Sequence, residues 1–235
     1  MIDTHSHLFV EEFDEDLPAV IERARDSGVS KVFMPNIDDT TVEAMLNVCT
    51  AYKGYCFPMI GFHPTSVGAD SLFRIYEMKK LLSGEHPFVA VGEVGMDLYW
   101  DKTYLKEQQK ALDIQIQWAL EYHLPLVLHC REAFPELFEV MEPYKKTELS
   151  GIFHSFTGTL EEAGQVLEYA RFFFGINGVV TFKKSSLAEV LPHIPLGRIV
   201  LETDSPYLAP VPFRGKRNES SYITVSYTHL RAHET

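Results

Sequence analysis

The amino-acid sequence predicts an α/β fold of the (β/α)8 TIM-barrel class with its final closing helix missing. Three observations lead there. Short apolar runs alternate with amphipathic helical stretches along the chain. Eight such runs can be counted, nearly all apolar, as expected of strands in a parallel sheet covered on both faces. No glycine fingerprint of a dinucleotide fold or a P-loop occurs, which disfavours an open doubly wound sheet.

The elements follow in order. Ile2 leads into the polar run Asp3-Thr4-His5-Ser6-His7. Leu17, Val20, Ile21 and Ala24 share one helical stripe that Gly28 stops. Lys31–Pro35 is the second strand, a helix follows over about 40–52, and Cys56–Phe62 is the third strand. A helix over about 72–82 precedes a strand Phe88–Val91, which ends in Gly92-Glu93. The long helix 104–122 carries Leu112, Ile116, Ala119 and Leu120 on its buried stripe, and Leu126–Leu128 runs into His129. The second part repeats the rhythm, with helices at 132–141, 160–170 and 187–191 and strands at 149–153, 172–176 and 199–201.

The chain has 235 residues, a length that suits one barrel domain. Lys and Arg number 21 against 33 Asp and Glu, a net charge of −12, so the surface will not wrap duplex DNA by bulk electrostatics. The three cysteines, 49, 56 and 130, have no Cys-x-x-Cys spacing, which argues against a disulfide framework or a thiolate zinc site. No signal peptide or run of about 18 apolar residues is seen, so no membrane association and a cytoplasmic location are expected. Residues 225–235, VSYTHLRAHET, continue no helical or strand pattern and resemble one reading frame of a transposon-type sequencing adapter. They are expected to be a non-native scar, leaving 1–224 as a single domain and removing His229 and His233 from any metal site. Without a helix after strand eight, an apolar face is expected to be exposed and open to self-association.

Residues suited to metal ligation gather where the strands end: His5 and His7, Glu93, His129, His154 and Asp204. In a (β/α)8 barrel those ends converge on the face that carries the active site. His5 and His7 are two apart, so in extended chain both imidazoles point the same way. Four imidazoles and two carboxylates suit borderline divalent ions and exceed what one tetrahedral site uses. Two ions about 3.5–4 Å apart, sharing a carboxylate, would employ them all. Each residue alone has an ordinary explanation as a core histidine, turn residue or cap, but five strand ends with metal-type residues together do not. His86, His123 and His193 lie at strand beginnings or helix ends and read as structural. Asp97 and Asp101 fit equally as loop groups capping the next helix.

These motifs together resemble the TatD family of metal-dependent hydrolases over residues 1–219. MIDTHSHL at 1–8, IGFHP at 60–64, GEVGMDLYW at 92–100, LHCR at 128–131, HSFTG at 154–158, ETDSPYLAP at 202–210 and RGKRNE at 214–219 stand in the family's order. The resemblance implies that His5, His7, Glu93 and Asp204 hold one divalent ion and Glu93, His129 and His154 the other, with Glu93 as the bridge. It places His63 and Arg131 in blocks lining the substrate site. Ser220 stands where the family motif usually has Pro.

The implied activity is a deoxyribonuclease working on single-stranded or frayed ends, with zinc, manganese or magnesium as the ions. Asp204, Glu93, His63 and Arg131 are the candidate catalytic residues, and Arg131, Arg214, Lys216 and Arg217 the candidate phosphate contacts. Lys183 and Lys184 read as solvated. Tyr99, Trp100 and Phe156 are candidates for base stacking, although Phe156 equally suits packing of a strand-to-helix turn. The closest rival is a two-metal hydrolase of an amide, lactone or aminoacyl ester in the same barrel. A non-catalytic binding module and an aldolase or isomerase barrel are weaker, the latter for want of a Schiff-base lysine or phosphate-gripping glycines.

Overall fold

A computed structural model describes residues 1–232 and shows an α/β fold with parallel sheets. The strands are β1 Ile2–Asp3, β2 Lys31–Pro35, β3 Cys56–Met59, β4 Val91–Asp97, β5 Leu126–Arg131, β6 Gly151–Phe153, β7 Phe172–Ile176 and β8 Ile199–Leu201. The helices are α1 Leu17–Asp26, α2 Val42–Ala51, α3 Ser71–Lys79, α4 Leu105–Glu121, α5 Phe134–Met141, α6 Leu160–Leu167, α7 Leu187–Val190 and α8 Ile223–Ala232. One sheet runs β1-β2-β3 and the other β4-β5-β6-β7-β8, every neighbour parallel.

The sheets touch along two seams. At one, Ile60 N donates to Ala90 O at 3.1 Å and Gly92 N to Ile60 O at 2.8 Å. At the other, Thr4 N donates to Leu201 O at 3.1 Å, Asp204 N to His5 O at 2.9 Å and His7 N to Ser205 O at 2.8 Å. The second seam brings the His5 and Asp204 segments, about 200 residues apart in sequence, against one another.

Strand alternation sorts the core into two faces. Val32, Met34, Leu126 and Leu128 belong to the large cluster that also holds helix residues Val20, Met45, Ile75, Leu112 and Leu137. Phe33 and Val127, the residues between them, join Met59, Ala90 and Val89 in a separate small cluster. Along β5 the second face continues from Val127 to His129 and Arg131, so the register that buries Val127 aims the imidazole and guanidinium together.

Two expectations are corrected. Strand four is not Phe88–Val91 followed by Glu93; it is Val91–Asp97, with Glu93 inside it. Its Gly-Glu-Val-Gly sequence hid it from apolar periodicity. Gly95 is needed because β4 passes so close to β5 there: at its φ of +144°, an added Cβ would lie 1.9 Å from His129 O. The second correction concerns the tail. Residues 223–232 form a helix that runs through the expected boundary at 224 and packs on the turn Gly178–Thr181 and on β8. Ile223 and Ser226 are buried and Leu230 packs on the core, a stripe at i, i+3 and i+7 that a small serine disguised. His229 and Arg231 in its last turn suit the negative end of the helix dipole. The face expected to be left bare for self-association is covered in part by α8. His233 and the last two residues of the expected scar lie outside the described residues. Among the described residues no helix is long and apolar enough to cross a membrane.

Because Ile223 is fully buried, Ile223→Ala should destabilise the protein by about 2–5 kcal/mol through lost burial and a residual cavity. Denaturant titration checks this, and an unchanged midpoint would show that α8 does not dock on the core.

Candidate metal centre

Six of the sequence-predicted residues, His5, His7, His63, His129, His154 and Asp204, meet around the carboxylate of a seventh, Glu93. Glu93 Oε2 lies 3.1 Å from His5 Nε2 and 3.6 Å from His7 Nε2. Its other oxygen, Oε1, lies 2.8 Å from His129 Nδ1, 3.4 Å from His63 Nε2 and 3.7 Å from His154 Nε2. Asp204 faces the same space, Oδ1 at 3.5 Å from His7 Nε2 and Oδ2 at 3.7 Å from His154 Nε2. Ligand-type atoms of His5, His7 and Glu93 lie within 4.8 Å of one another, as do those of His63, Glu93 and His129. The two groups overlap at Glu93.

Local chain geometry explains the convergence. His5 and His7 follow β1, spaced by two and fixed on the segment after β8 through seam bonds to Asp204 and Ser205. His63 follows β3, held where Asn36 brackets Gly61, accepting from its N at 2.8 Å and donating to its O at 2.9 Å. Asp204 sits in the left-handed region at φ +59°, which Asp tolerates better than most side chains. The buried Asn218 amide clasps the carbonyls on either side of it, donating to Thr203 O at 2.8 Å and Tyr207 O at 2.7 Å.

Electrostatics follow from charge gathered in a buried space. Burial opposes ionisation of Glu93, but His5, His63 and His154 together with the His129 hydrogen bond hold it well below the usual carboxylate range. Asp204 is likewise held low against burial by His154, His7 and His5. Burial would push the His129 imidazolium down; Asp97 and Glu93 outweigh it and raise the group to about 9. Burial, and then the neighbouring His154, push His5 down.

The donor set fits divalent metal. Nε2 of His5 and His7 lie 3.2 Å apart, two ring nitrogens aimed at one another and at anionic oxygens, as nitrogens sharing a cation would be. The outer atoms fit as well. His129 Nε2 bonds Asp97 Oδ2 at 2.9 Å, the carboxylate backing that orients a ligating imidazole, and His154 Nδ1 lies 2.9 Å from Glu202 Oε1 as a charge pair without hydrogen-bond alignment.

The other predicted residues separate. Arg131 lines the same cavity of about 620 Å³ as Glu93 and Asp204, its guanidinium 3.7 Å above the Tyr99 ring. Arg217 turns instead to Asp16, with bonds of 2.7 and 2.8 Å. It lines a different surface recess with Lys216. Arg214 lies 4.1 Å over Phe182 and is not among the cleft-lining residues. Phe156 is buried against Phe134 and Phe174, which is the packing role.

A family model described as TatD related DNase matches residues 2–234. The chain belongs to the TatD family. It is 36% identical over 224 residues to the uncharacterized metal-dependent hydrolase YabD of Bacillus subtilis, covering 95% of this chain and 87% of that protein. It is 32% identical over 235 residues to the 3′-5′ ssDNA/RNA exonuclease TatD of Pantoea ananatis, with the same shares covered. The crystal structure of the TatD homologue YjjV from Escherichia coli superposes with a TM-score of 0.90 at 26% identity, covering 99% of this chain and 90% of that one. A TatD family protein from Entamoeba histolytica at 22% identity shares the fold, with a TM-score of 0.84, covering 100% of this chain and 91% of that one. This TatD-family chain is accordingly a metal-dependent hydrolase, and its overlapping His/Glu clusters accommodate two divalent ions.

Sequence reasoning missed the residues that hold this TatD-family site in shape. Glu202 gave no signal of its own beside Asp204. Gln108 and Gln115 read as ordinary helix polar positions, yet both are buried. Gln108 exchanges bonds with Asp97 N and O at 2.9 and 3.0 Å, and Gln115 accepts from Phe62 N at 2.7 Å. A polar residue on the apolar stripe of α4 was the available clue.

Asn218→Ala should orphan the buried Thr203 carbonyl and the part-buried Tyr207 carbonyl and cost about 1–3 kcal/mol. It should also loosen Asp204 more than His129. Calorimetric titration with manganese is expected to show one of two sites weakened while the other is kept; two unchanged sites would refute the positioning role.

Proposed function

We propose that this hydrolase cleaves phosphodiester bonds of nucleic acid, acting as a deoxyribonuclease on single-stranded or frayed ends, in a closed (β/α)8 barrel. The observation that carries the reading is Glu93, whose two oxygens face separate imidazole groups beside a cleft lined by Arg131. Hydrogen bonds along both sheet seams support closure. The name of the Pantoea relative, a ssDNA/RNA exonuclease, supports the substrate class.

His5, His7, Glu93 and Asp204 would hold one divalent ion, and Glu93, His129 and His154 the other, with His63 beside Glu93 Oε1. Divalent metal at such a site makes water more acidic and neutralises charge on phosphoryl oxygens. Asp204 is the proton acceptor: its side chain keeps 14% exposure against 4% for Glu93, so of the two it is the carboxylate open to water in the cleft. Asp97 fixes the ring plane of His129, and the Glu202 carboxylate lies beside His154 Nδ1 as its charge partner. Arg131, on the same strand face as His129, grips a phosphoryl oxygen with a charged fork.

The net charge of −12 favours engagement of a chain end over a long duplex, since duplex binding draws on many phosphate contacts. With Arg217 paired to Asp16, phosphate contact in the cleft falls chiefly to Arg131.

The test is turnover of metal-loaded protein on end-labelled single- and double-stranded DNA, RNA, an aminoacyl ester and a lactone. Cleavage of single strands from an end is expected; turnover confined to the ester or lactone would overturn the reading. Arg131→Ala should lower kcat/KM on DNA by about 10- to 100-fold, the worth of one charged hydrogen bond, with both ions retained. An unchanged value would remove Arg131 from the site.

A further inference from the structure

The aromatic pair after β4 has no role in holding metal or moving a proton, and its exposure is unusual. Trp100 is 74% exposed and Tyr99 45%, whereas the chain's other tryptophan, Trp118, is buried on α4. The two rings meet edge to face at 4.7 Å with planes 88° apart, so Tyr99 does not cover the Trp100 ring by stacking. The Arg131 guanidinium lies 3.7 Å from the Tyr99 ring centre and 5.5 Å from that of Trp100, so it rests chiefly on Tyr99 and leaves the other face of Trp100 open. The pair is also tied to the metal centre, because Tyr99 N donates to Asp97 Oδ1 at 3.0 Å while Asp97 Oδ2 holds His129. Trp100 lines the cleft with Arg131.

Resting on the phosphodiesterase reading, we propose that Trp100 is the stacking platform for an unpaired nucleobase whose phosphate is held by Arg131, with Tyr99 fixing the cation between them. A cation beside a flat apolar face matches the two halves of one nucleotide: an anionic phosphate and an aromatic base. An unpaired base offers its face to Trp100 freely, whereas bases inside a duplex are stacked on both sides and only the terminal pair leaves one face open. Tyr99 has a different task. A cation on its ring is held by an uncharged partner, and so keeps its charge for phosphate.

The platform makes strand selection a property of a single ring. Each base stacked on an aromatic side chain is worth about 1–3 kcal/mol, or roughly 5- to 150-fold. The experiment compares metal-loaded wild type, Trp100→Ala and Trp100→Phe on a single-stranded oligonucleotide and on the same strand with abasic sites at its terminal two positions. The preference for the intact strand, as a ratio of kcat/KM, is expected to fall by about 5- to 100-fold in Trp100→Ala and to be largely restored in Trp100→Phe. With Trp118 buried, quenching of tryptophan fluorescence by a phosphorothioate strand reports on Trp100 independently of turnover, and should occur for the intact and not the abasic strand. An unchanged ratio, or no quenching difference, would overturn the platform while leaving the nuclease reading intact. Failure of wild type to bind or cleave either strand would overturn both.

Discussion

A buried carboxylate touched by five imidazoles is the constraint on which the rest of this structure depends. Glu93 is nearly inaccessible, and taking its charge out of water costs several kcal/mol unless compensating charge surrounds it. His129 and His154, both raised by neighbouring carboxylates, supply part of that charge, while His5 and His7 on one oxygen and His63 on the other place ring nitrogens where divalent ions would supply the rest. None of these residues is close to Glu93 in sequence, so the compensation exists only when strands from both sheets are in register. The site and the fold are therefore one requirement: a slip of one residue in β5 would turn His129 to the helix-covered face and bring Leu128 or Cys130 in its place.

Holding so many like and unlike charges together needs groups that fix them without adding charge to the cleft. Buried amides serve this purpose. Asn36, Gln108, Gln115 and Asn218 each bond backbone at a segment that carries or backs a ligand-type residue. Outside them, the ion pairs of Arg23 with Glu219 and Arg217 with Asp16 tie the last loop to α1 and the segment before it. Of the basic motif RGKRNE, Arg217 is taken by Asp16 and Arg214 lies outside the cleft over Phe182, whereas Arg131, resting on Tyr99, lines the cleft and stays open to an anion. Glu219 is buried, so Arg23 also compensates its charge, whereas the more exposed Arg217–Asp16 pair contributes little beyond orientation.

Much of this was legible because two periodicities and one chemistry coincide. The strands Phe172–Ile176 and Ile199–Leu201 stand where apolar runs placed them, and His5, His7, Glu93, His129, His154 and Asp204 meet because such residues at strand ends have few other uses together. What escaped did so for physical reasons. β4 escaped because close approach to β5 demanded glycine where a strand pattern expects large residues. α8 escaped because its buried stripe runs through Ser226. Glu202 and the amides escaped because their partners are backbone atoms or ring nitrogens brought near only by the fold. Arg217 misled because a cation in sequence carries no mark of the carboxylate that will claim it, here Asp16.

The central claim is that the Glu93 carboxylate is shared, one oxygen to each metal position. Anomalous scattering from crystals of the full chain saturated with manganese tests it directly. Two peaks should flank Glu93, one among His5, His7 and Asp204 and one beside His129, and both should vanish or weaken together in Glu93→Gln. A single peak, or two peaks that survive that substitution unchanged, would contradict the account.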